Sequence, residues 1–228
     1  KNISFGLSAK GKLQFFDKPT PGEANGIGFA GFVEDTKFDI DRGFYSVPFR
    51  VNITCATPDA IIRYTIDGSK PSSNHGNIYQ GPIQVRTTTT LRAAAFHSKM
   101  KSSNVDTHTY LFVDDIIRQP SNPPGFPSQW NGHTADYEMD PEVVNNSAYK
   151  GRISAALKSI PSLSLVLNQD DFFKTGQGIY PKGEGVEKST SVELIYPDRK
   201  MSPQVDGSVQ IVGGSSTGRW KSEKLSMR

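Results

Sequence analysis

The sequence predicts a mainly β protein: an immunoglobulin-like antiparallel β-sandwich followed by a partial α+β unit. Three observations predict this class. With 21 glycines and 15 prolines among 228 residues, the chain has too many turn-forming residues for a helix bundle. Short runs rich in Val, Ile, Thr and Tyr recur between residues 42 and 114 at the spacing of sandwich strands. An amphipathic helical pattern follows at Gly151–Ile160.

Residues 1–41 are Gly-rich and irregular, and we expect them to be the remnant of a β segment followed by a linker. Pro19 and Pro21 each fix φ and lack a backbone N–H, and the following Gly22 and Asn25 favour turn geometry. The stretch is too short to hold a hydrophobic core of its own.

Residues 42–114 form the clearest predicted unit. Apolar side chains alternate with polar ones through Phe49–Thr57, and this period of two predicts a half-buried strand. Ile61–Ile66 predicts the next strand, which ends at the turn signal Asp67-Gly68. Further strands are predicted at Ile78–Val85, Thr87–Phe96 and Val105–Phe112.

Residues 115–150 are predicted to be a Pro-rich linker, and residues 151–228 a truncated α+β unit. Pro161 ends the predicted helix, and we expect Asp170-Asp171 to cap a short helical turn. Strands are predicted at Ser162–Leu167, Thr190–Tyr196 and Ser208–Val212. Because Lys224–Arg228 has an unfinished strand-like pattern, we expect this chain to be a piece of a longer protein.

Composition argues against several classes of function. The 26 basic and 23 acidic residues are well mixed and give a net charge of +3, so no nucleic-acid partner is predicted. The longest apolar runs, of about six residues, are too short for a membrane span. The single cysteine, Cys55, cannot form an intrachain disulfide and is expected to be a small buried hydrophobe.

No catalytic or metal-ligating residue is assigned. The four histidines lack metal-site spacing, and no Ser-His-Asp or GxSxG pattern predicts a hydrolytic nucleophile. Asp170-Asp171 is better explained as a helix cap than as a metal site.

The middle unit resembles the chitobiase/β-hexosaminidase C-terminal domain, an immunoglobulin-like module. The residues that carry the resemblance are ATPDAIIRYTIDGSKPS (Ala56–Ser72), YQGPIQV (Tyr79–Val85) and TTTLRAAAF (Thr88–Phe96). That family is an accessory module of extracellular carbohydrate-related and cell-surface proteins and has no catalytic residues. The resemblance therefore implies a spacer or a binding role.

The flanking segments resemble two other families. The segment FFDKPTPGEAN, which ends at Asn25, looks like the closing strand of a lamin-tail domain. The start of a CotH-type kinase domain is suggested by SIPSLSLVL (Ser159–Leu167), DDFF…GIY (Asp170–Tyr180), SVELIYPDR (Ser191–Arg199), VQIVGGSS (Val209–Ser216) and KLSMR (Lys224–Arg228). The order of the three is similar to that in planctomycete-type multidomain surface proteins, which implies an extracellular or cell-envelope location.

The CotH resemblance suggests nucleotide-binding candidates. They are Gly213, Gly214, Ser215, Ser216 and Lys224, because glycine backbone N–H groups and hydroxyls suit phosphate oxygens and Lys224 matches the family's basic residue. A plain turn between strands also explains Gly213–Ser216, and Val212 stands where the family commonly has Arg. The family's acidic residues would lie past Arg228, so ATP and a divalent metal are expected only if that domain is complete.

Sugar binding requires exposed aromatic faces beside polar groups. Trp130 and Tyr137, in the predicted Pro-rich linker, are the carbohydrate-binding candidates, although both could instead pin that loop onto a neighbouring element.

We therefore expect a non-catalytic structural or assembly fragment of an extracellular multidomain protein. Its expected partners are other domains of the same polypeptide, surface-assembly proteins or a polysaccharide. The alternatives are a carbohydrate-binding accessory module, and an ATP-dependent kinase if the chain continues past Arg228.

Overall fold

The computed structural model describes residues 3–130, 133–182, 185–198 and 202–212. The first eleven strands are β1 (Ser4–Leu7), β2 (Leu13–Phe16), β3 (Lys37–Phe38), β4 (Gly43–Tyr45), β5 (Phe49–Val51), β6 (Ile53–Thr54), β7 (Ile61–Thr65), β8 (Asn77–Ile78), β9 (Ile83–Val85), β10 (Thr89–Phe96) and β11 (Asp106–Phe112). The remaining elements are α1 (Val113–Ile117), β12 (Gln129–Trp130), β13 (His133–Thr134), α2 (Pro141–Val144), α3 (Ile153–Leu157), β14 (Ser162–Val166), α4 (Gln169–Phe173), α5 (Ile179–Lys182), β15 (Glu187–Ile195) and β16 (Gln204–Gln210).

A β-sandwich occupies the middle of the chain. Its larger sheet has the order β4-β11-β10-β7-β8, with β4 parallel to β11 and the other neighbours antiparallel. The pairs β3-β6 and β5-β9 form the opposing layer. The core between the layers contains Val51, Ile53, Val85, Leu91, Ala93, Tyr110 and Phe112. The predicted mainly β class is confirmed.

A separate antiparallel sheet, β14-β15-β16, covers the outer face of the sandwich's larger sheet. We call it the three-stranded sheet. Ile195 of β15 packs with Phe44 of β4, Leu111 of β11 and Val113 of α1 in a second apolar cluster. Strands β10 and β11 are therefore buried on both faces.

The alternation predicted through Phe49–Thr57 is confirmed, although the run is two strands rather than one. Val51 and Ile53 are buried while Arg50, Asn52 and Thr54 are exposed. The strand breaks at Asn52, because β5 pairs with β9 whereas β6 pairs with β3.

Two local predictions need correction. The helical turn at Asp170-Asp171 is capped by Asn168, whose side chain accepts a hydrogen bond from Asp170 N at 2.9 Å. Cys55 is half-buried, and its Sγ lies 3.2 Å from Glu34 O. Within the described residues, none of the helices is long and apolar enough to cross a membrane.

His108 is a titratable group inside the sandwich. Its ring stacks on Phe38 with the centroids 4.1 Å apart and the planes 7° from parallel. Burial lowers the pKa of His108 to about 3, and the nearby positive charge of Arg42 acts in the same direction. The folded protein therefore holds a neutral imidazole at pH values where an exposed histidine is protonated.

We predict that acidification destabilises the fold through His108. Below the ordinary pKa of 6.5 the unfolded chain binds a proton that the folded chain excludes until about pH 3. The free energy of unfolding should therefore fall by up to about 1.4 kcal/mol per pH unit across that window. Urea unfolding between pH 4 and 7 measures the slope, and His108→Phe should remove this component. The control His97→Phe, at a half-buried loop position, should retain it; equal slopes in all three proteins would contradict the prediction.

Candidate functional site

A buried ion pair joins the sandwich to the three-stranded sheet. Arg42, which directly precedes β4, places its Nε 3.2 Å from Oε1 of Glu193 in β15. The Glu193 side chain is fully buried, and that of Arg42 is 11% exposed. Arg42 Nη1 also donates to Ser202 O at 2.9 Å, so one guanidinium binds the strand β15 and the segment before β16.

Glu193 also completes the hydrogen bonding of β11. The ladder between β4 and β11 begins at Tyr110, and the backbone N–H of the preceding Thr109 donates to Glu193 Oε1 at 3.0 Å. Thr109 Oγ1 donates to Glu193 Oε2 and lies 2.9 Å from Ser164 Oγ of β14. Burial raises the pKa of Glu193, while the Thr109 donors and Arg42 act in the opposite direction.

Backbone also meets backbone across this interface. Gly68, in the turn after β7, has a φ of +79°, and a Cβ atom added there would lie 2.6 Å from Leu167 O. Both the positive φ and the close approach require glycine. The Asp67-Gly68 turn that the sequence predicted is thus also a contact with the end of β14.

A cleft of about 610 Å³ opens beside this contact. We call it the interface cleft. The sandwich contributes Lys70, His75 and Arg92 to its wall, and the opposite side contributes Asp171, Thr190 and Asp206. Its volume lies in the range of roughly 300–1,000 Å³ that is typical of small-molecule sites.

The cleft contains a Ser-His contact but no hydrolytic triad. Ser69 Oγ lies 2.8 Å from His75 Nε2 and donates to Asp67 Oδ1 at 2.5 Å. Asp67 therefore bonds the serine rather than orienting the imidazole, and Ser69 is 6% exposed. Burial acts to raise the pKa of Asp67, but the hydrogen bonds from Ser69 outweigh it and leave that pKa lowered. This network holds the loop conformation rather than activating a nucleophile.

Of the two predicted sugar-stacking residues, Tyr137 is buried. Tyr137 is 3% exposed, and its hydroxyl donates to Pro127 O at 2.9 Å. Its ring packs against Phe126 and Phe173, and burial raises its pKa to about 12. A ring enclosed in this way offers no face to a ligand, so Tyr137 pins the loop onto α4. Trp130 lies in β12, and its side chain is outside the described part of the chain.

The predicted nucleotide-binding residues, Gly213, Gly214, Ser215, Ser216 and Lys224, also lie outside the described residues. Their role stays a prediction. Across residues 3–130, 133–182, 185–198 and 202–212, no three His, Cys, Asp or Glu side chains come together as a metal site.

Sequence reasoning missed Arg42, Arg92, Thr109 and Glu193. The sequence of β15 contained one indication of this site, because Glu193 interrupts the apolar run SVELI. A charged residue between Val192 and Leu194 on a buried strand predicts a buried partner. Identifying that partner required the packing of β15 on β11.

Comparison with known families agrees with the resemblance that the sequence showed in the middle of the chain. Residues 40–107 match the family model of the chitobiase/beta-hexosaminidase C-terminal domain. No curated protein matches the sequence. Among solved structures, the chain is similar to the SrpA adhesin from Streptococcus sanguinis, with 12% identity, a TM-score of 0.18, and coverage of 75% of this chain and 90% of that chain. That likeness is too weak to assign a fold.

We predict strong coupling between Arg42 and Glu193. Arg42→Met leaves a buried carboxylate without its cation and should lower the free energy of unfolding by about 3–5 kcal/mol. The double variant Arg42→Met/Glu193→Met removes both charges and should be more stable than Arg42→Met alone. Chemical denaturation of the single and double variants measures the coupling.

Lys174→Met is the matched control. Its partner Asp170 is 3.2 Å away, and both side chains are more than half exposed. Breaking this exposed pair should cost less than about 0.5 kcal/mol. Equal losses at Arg42 and Lys174 would contradict the prediction.

Proposed function

We propose that this chain is a non-catalytic structural unit of an extracellular or cell-envelope multidomain protein. In this proposal the sandwich and the three-stranded sheet form one rigid segment that spaces or presents neighbouring domains. The observation that carries the proposal is the fully buried Glu193, held by Arg42 and by the N–H and hydroxyl of Thr109.

The way the interface is built supports rigidity. A flexible pair of domains keeps the facing surfaces polar and solvated, whereas here an apolar cluster, an ion pair and a glycine contact are buried together. Sliding the two sheets would leave Glu193 buried without its donors, which is costly. One relative orientation is therefore strongly preferred.

The match of residues 40–107 supports an accessory rather than a catalytic role. The same match supports the proposed extracellular location, because modules of that family accompany extracellular and surface proteins. The boundaries proposed from the sequence, 1–41, 42–114, 115–150 and 151–228, are kept as part of this proposal, as are the lamin-tail and CotH-type resemblances of the flanking segments.

We predict that the sandwich and the three-stranded sheet tumble in solution as one rigid body. ¹⁵N relaxation on the 228-residue protein should give amides of β10–β11 and β14–β15 a single rotational correlation time. Arg42→Met should separate the two values or raise the order-parameter differences, whereas Lys174→Met should not. Different correlation times in the unaltered protein would overturn the structural proposal.

We also predict that the purified chain neither hydrolyses ATP nor phosphorylates protein, since the role proposed for it is that of a non-catalytic accessory segment. A radiolabelled-phosphate assay with Mg²⁺ and Mn²⁺ measures this. Turnover that depends on Lys224 would establish the kinase alternative instead.

A further inference from the structure

We propose that the free edge of β16 pairs with β16 of a second copy of this chain. The two strands run antiparallel about a two-fold axis at Gly207 and join two three-stranded sheets into one. The proposal goes beyond the rigid segment, because a monomer can be equally rigid. In the described part of the chain, β16 ends the order β14-β15-β16 and has no strand on its other side.

The open edge of β16 is long and exposed. The strand contains seven residues, and Asp206, Gly207 and Ser208 at its centre are all exposed. An unpaired edge of this length is a template for another strand unless charges, proline or a bulge block it. β16 contains no proline, Asp206 is its one charged residue, and its register with β15 is continuous. The edge is therefore available for a further strand.

The ladder with β15 determines which backbone groups of β16 point outward. Leu194 N donates to Pro203 O at 3.1 Å, and these two residues continue the register of the ladder by one pair. Because hydrogen-bonded and non-hydrogen-bonded pairs alternate in an antiparallel ladder, Val205, Gly207 and Val209 bond to β15. The backbone N–H and C=O groups of the other four residues point to the open edge: Gln204, Asp206, Ser208 and Gln210.

The sequence of β16 reads nearly the same in both directions. In QVDGSVQ, Gly207 is central, and the two valines and the two glutamines are each equidistant from it. Antiparallel pairing about Gly207 therefore places Val205 opposite Val209, Asp206 opposite Ser208, and glutamine opposite glutamine. These apolar, hydroxyl–carboxylate and amide pairs are compatible, and no like charges stand opposite each other. Each pair of outward-pointing residues exchanges both of its backbone hydrogen bonds.

Gly207 has no explanation within the described part of its own chain. It is not among the glycines with positive φ, and a Cβ atom added there would meet only Val192 Cγ2, at an ordinary 3.8 Å. Glycine inside a strand weakens it and often marks the close approach of another backbone. In the two-fold arrangement Gly207 stands opposite its own copy in a non-hydrogen-bonded pair, in which the Cα atoms lie about 4.5 Å apart. The residue without a side chain thus coincides with the symmetry axis.

The same pairing extends an apolar face of the three-stranded sheet. Val205 is 59% exposed, and its neighbours across the sheet are Val192 and Leu165, of which Leu165 is 38% exposed. The second copy places its Val209 directly beside Val205 and removes apolar surface from water. Because an edge-to-edge contact is small, we expect a reversible dimer rather than an obligate one.

Sedimentation equilibrium of the 228-residue protein tests for this dimer. The protein should pass from monomer to dimer as its concentration rises through the micromolar range. Ser208→Pro removes an outward N–H but no bond to β15, and should raise the dissociation constant at least about tenfold. Ser208→Ala keeps that N–H and is the matched control, with an unchanged dissociation constant; circular dichroism checks that all three proteins fold alike. A monomer at every concentration, as expected if residues 213–228 or a neighbouring domain cover the edge, would overturn the proposal, as would a dimer that Ser208→Pro leaves intact.

Cysteine cross-linking tests the register independently of the proline variant. In a Cys55→Ser background, Gly207→Cys places two thiols at the axis, at a Cα separation that a disulfide permits, and oxidation should give a covalent dimer. Val205→Cys is the matched control, because its two copies lie about 14 Å apart along the strands and cannot be bridged. Equal cross-linking of both variants, or none of Gly207→Cys, would show that β16 does not pair about Gly207. The single correlation time of the structural proposal would stand in either case.

Discussion

The structure depends on one buried carboxylate. Glu193 lies between two β layers and accepts hydrogen bonds from the backbone and side chain of Thr109 beside the guanidinium of Arg42. A buried ion pair often contributes little net stability, because desolvation opposes the attraction. Its consequence here is orientation: only one placement of the three-stranded sheet brings these donors to Glu193. The apolar packing of Ile195 against Phe44 and Leu111 then supplies the non-directional part of the contact.

This constraint explains why polar residues are buried on the outer face of the sandwich's larger sheet. Arg92, Thr107 and Thr109 point away from the sandwich core, a position that would be solvent-facing in an isolated sandwich. The three-stranded sheet buries these side chains, and each of their polar groups then needs a hydrogen-bond partner. Thr109 finds one in Glu193, whereas Arg92 is only partly satisfied, by Gly68. Arg92 is also one of the residues that line the interface cleft.

The rigidity of the segment and the shape of the interface cleft depend on the same interface. The close approach of Gly68 to Leu167 fixes the loop that carries Ser69, Lys70 and His75 against the end of β14. A cleft whose walls belong to two layers keeps its shape only while the layers keep their orientation. The packing of the sandwich against the three-stranded sheet therefore forms the interface cleft in advance of any ligand.

The sequence determined the local structure of the sandwich. Alternation through Phe49–Thr57 and the Asp67-Gly68 turn predicted strands and a turn that the structure contains, because strand period and turn chemistry are local properties. The sequence did not reveal the break at Asn52 or the burial of Tyr137, each of which depends on a distant partner. The cap at Asn168 is a local contact with Asp170 N, which the sequence analysis assigned to Asp170-Asp171 instead. The pairing of Arg42 with Glu193 joins residues 151 positions apart. That contact and the cleft beside it arise from the packing of the folded chain, since no sequence pattern specifies which surfaces of two β layers will face each other.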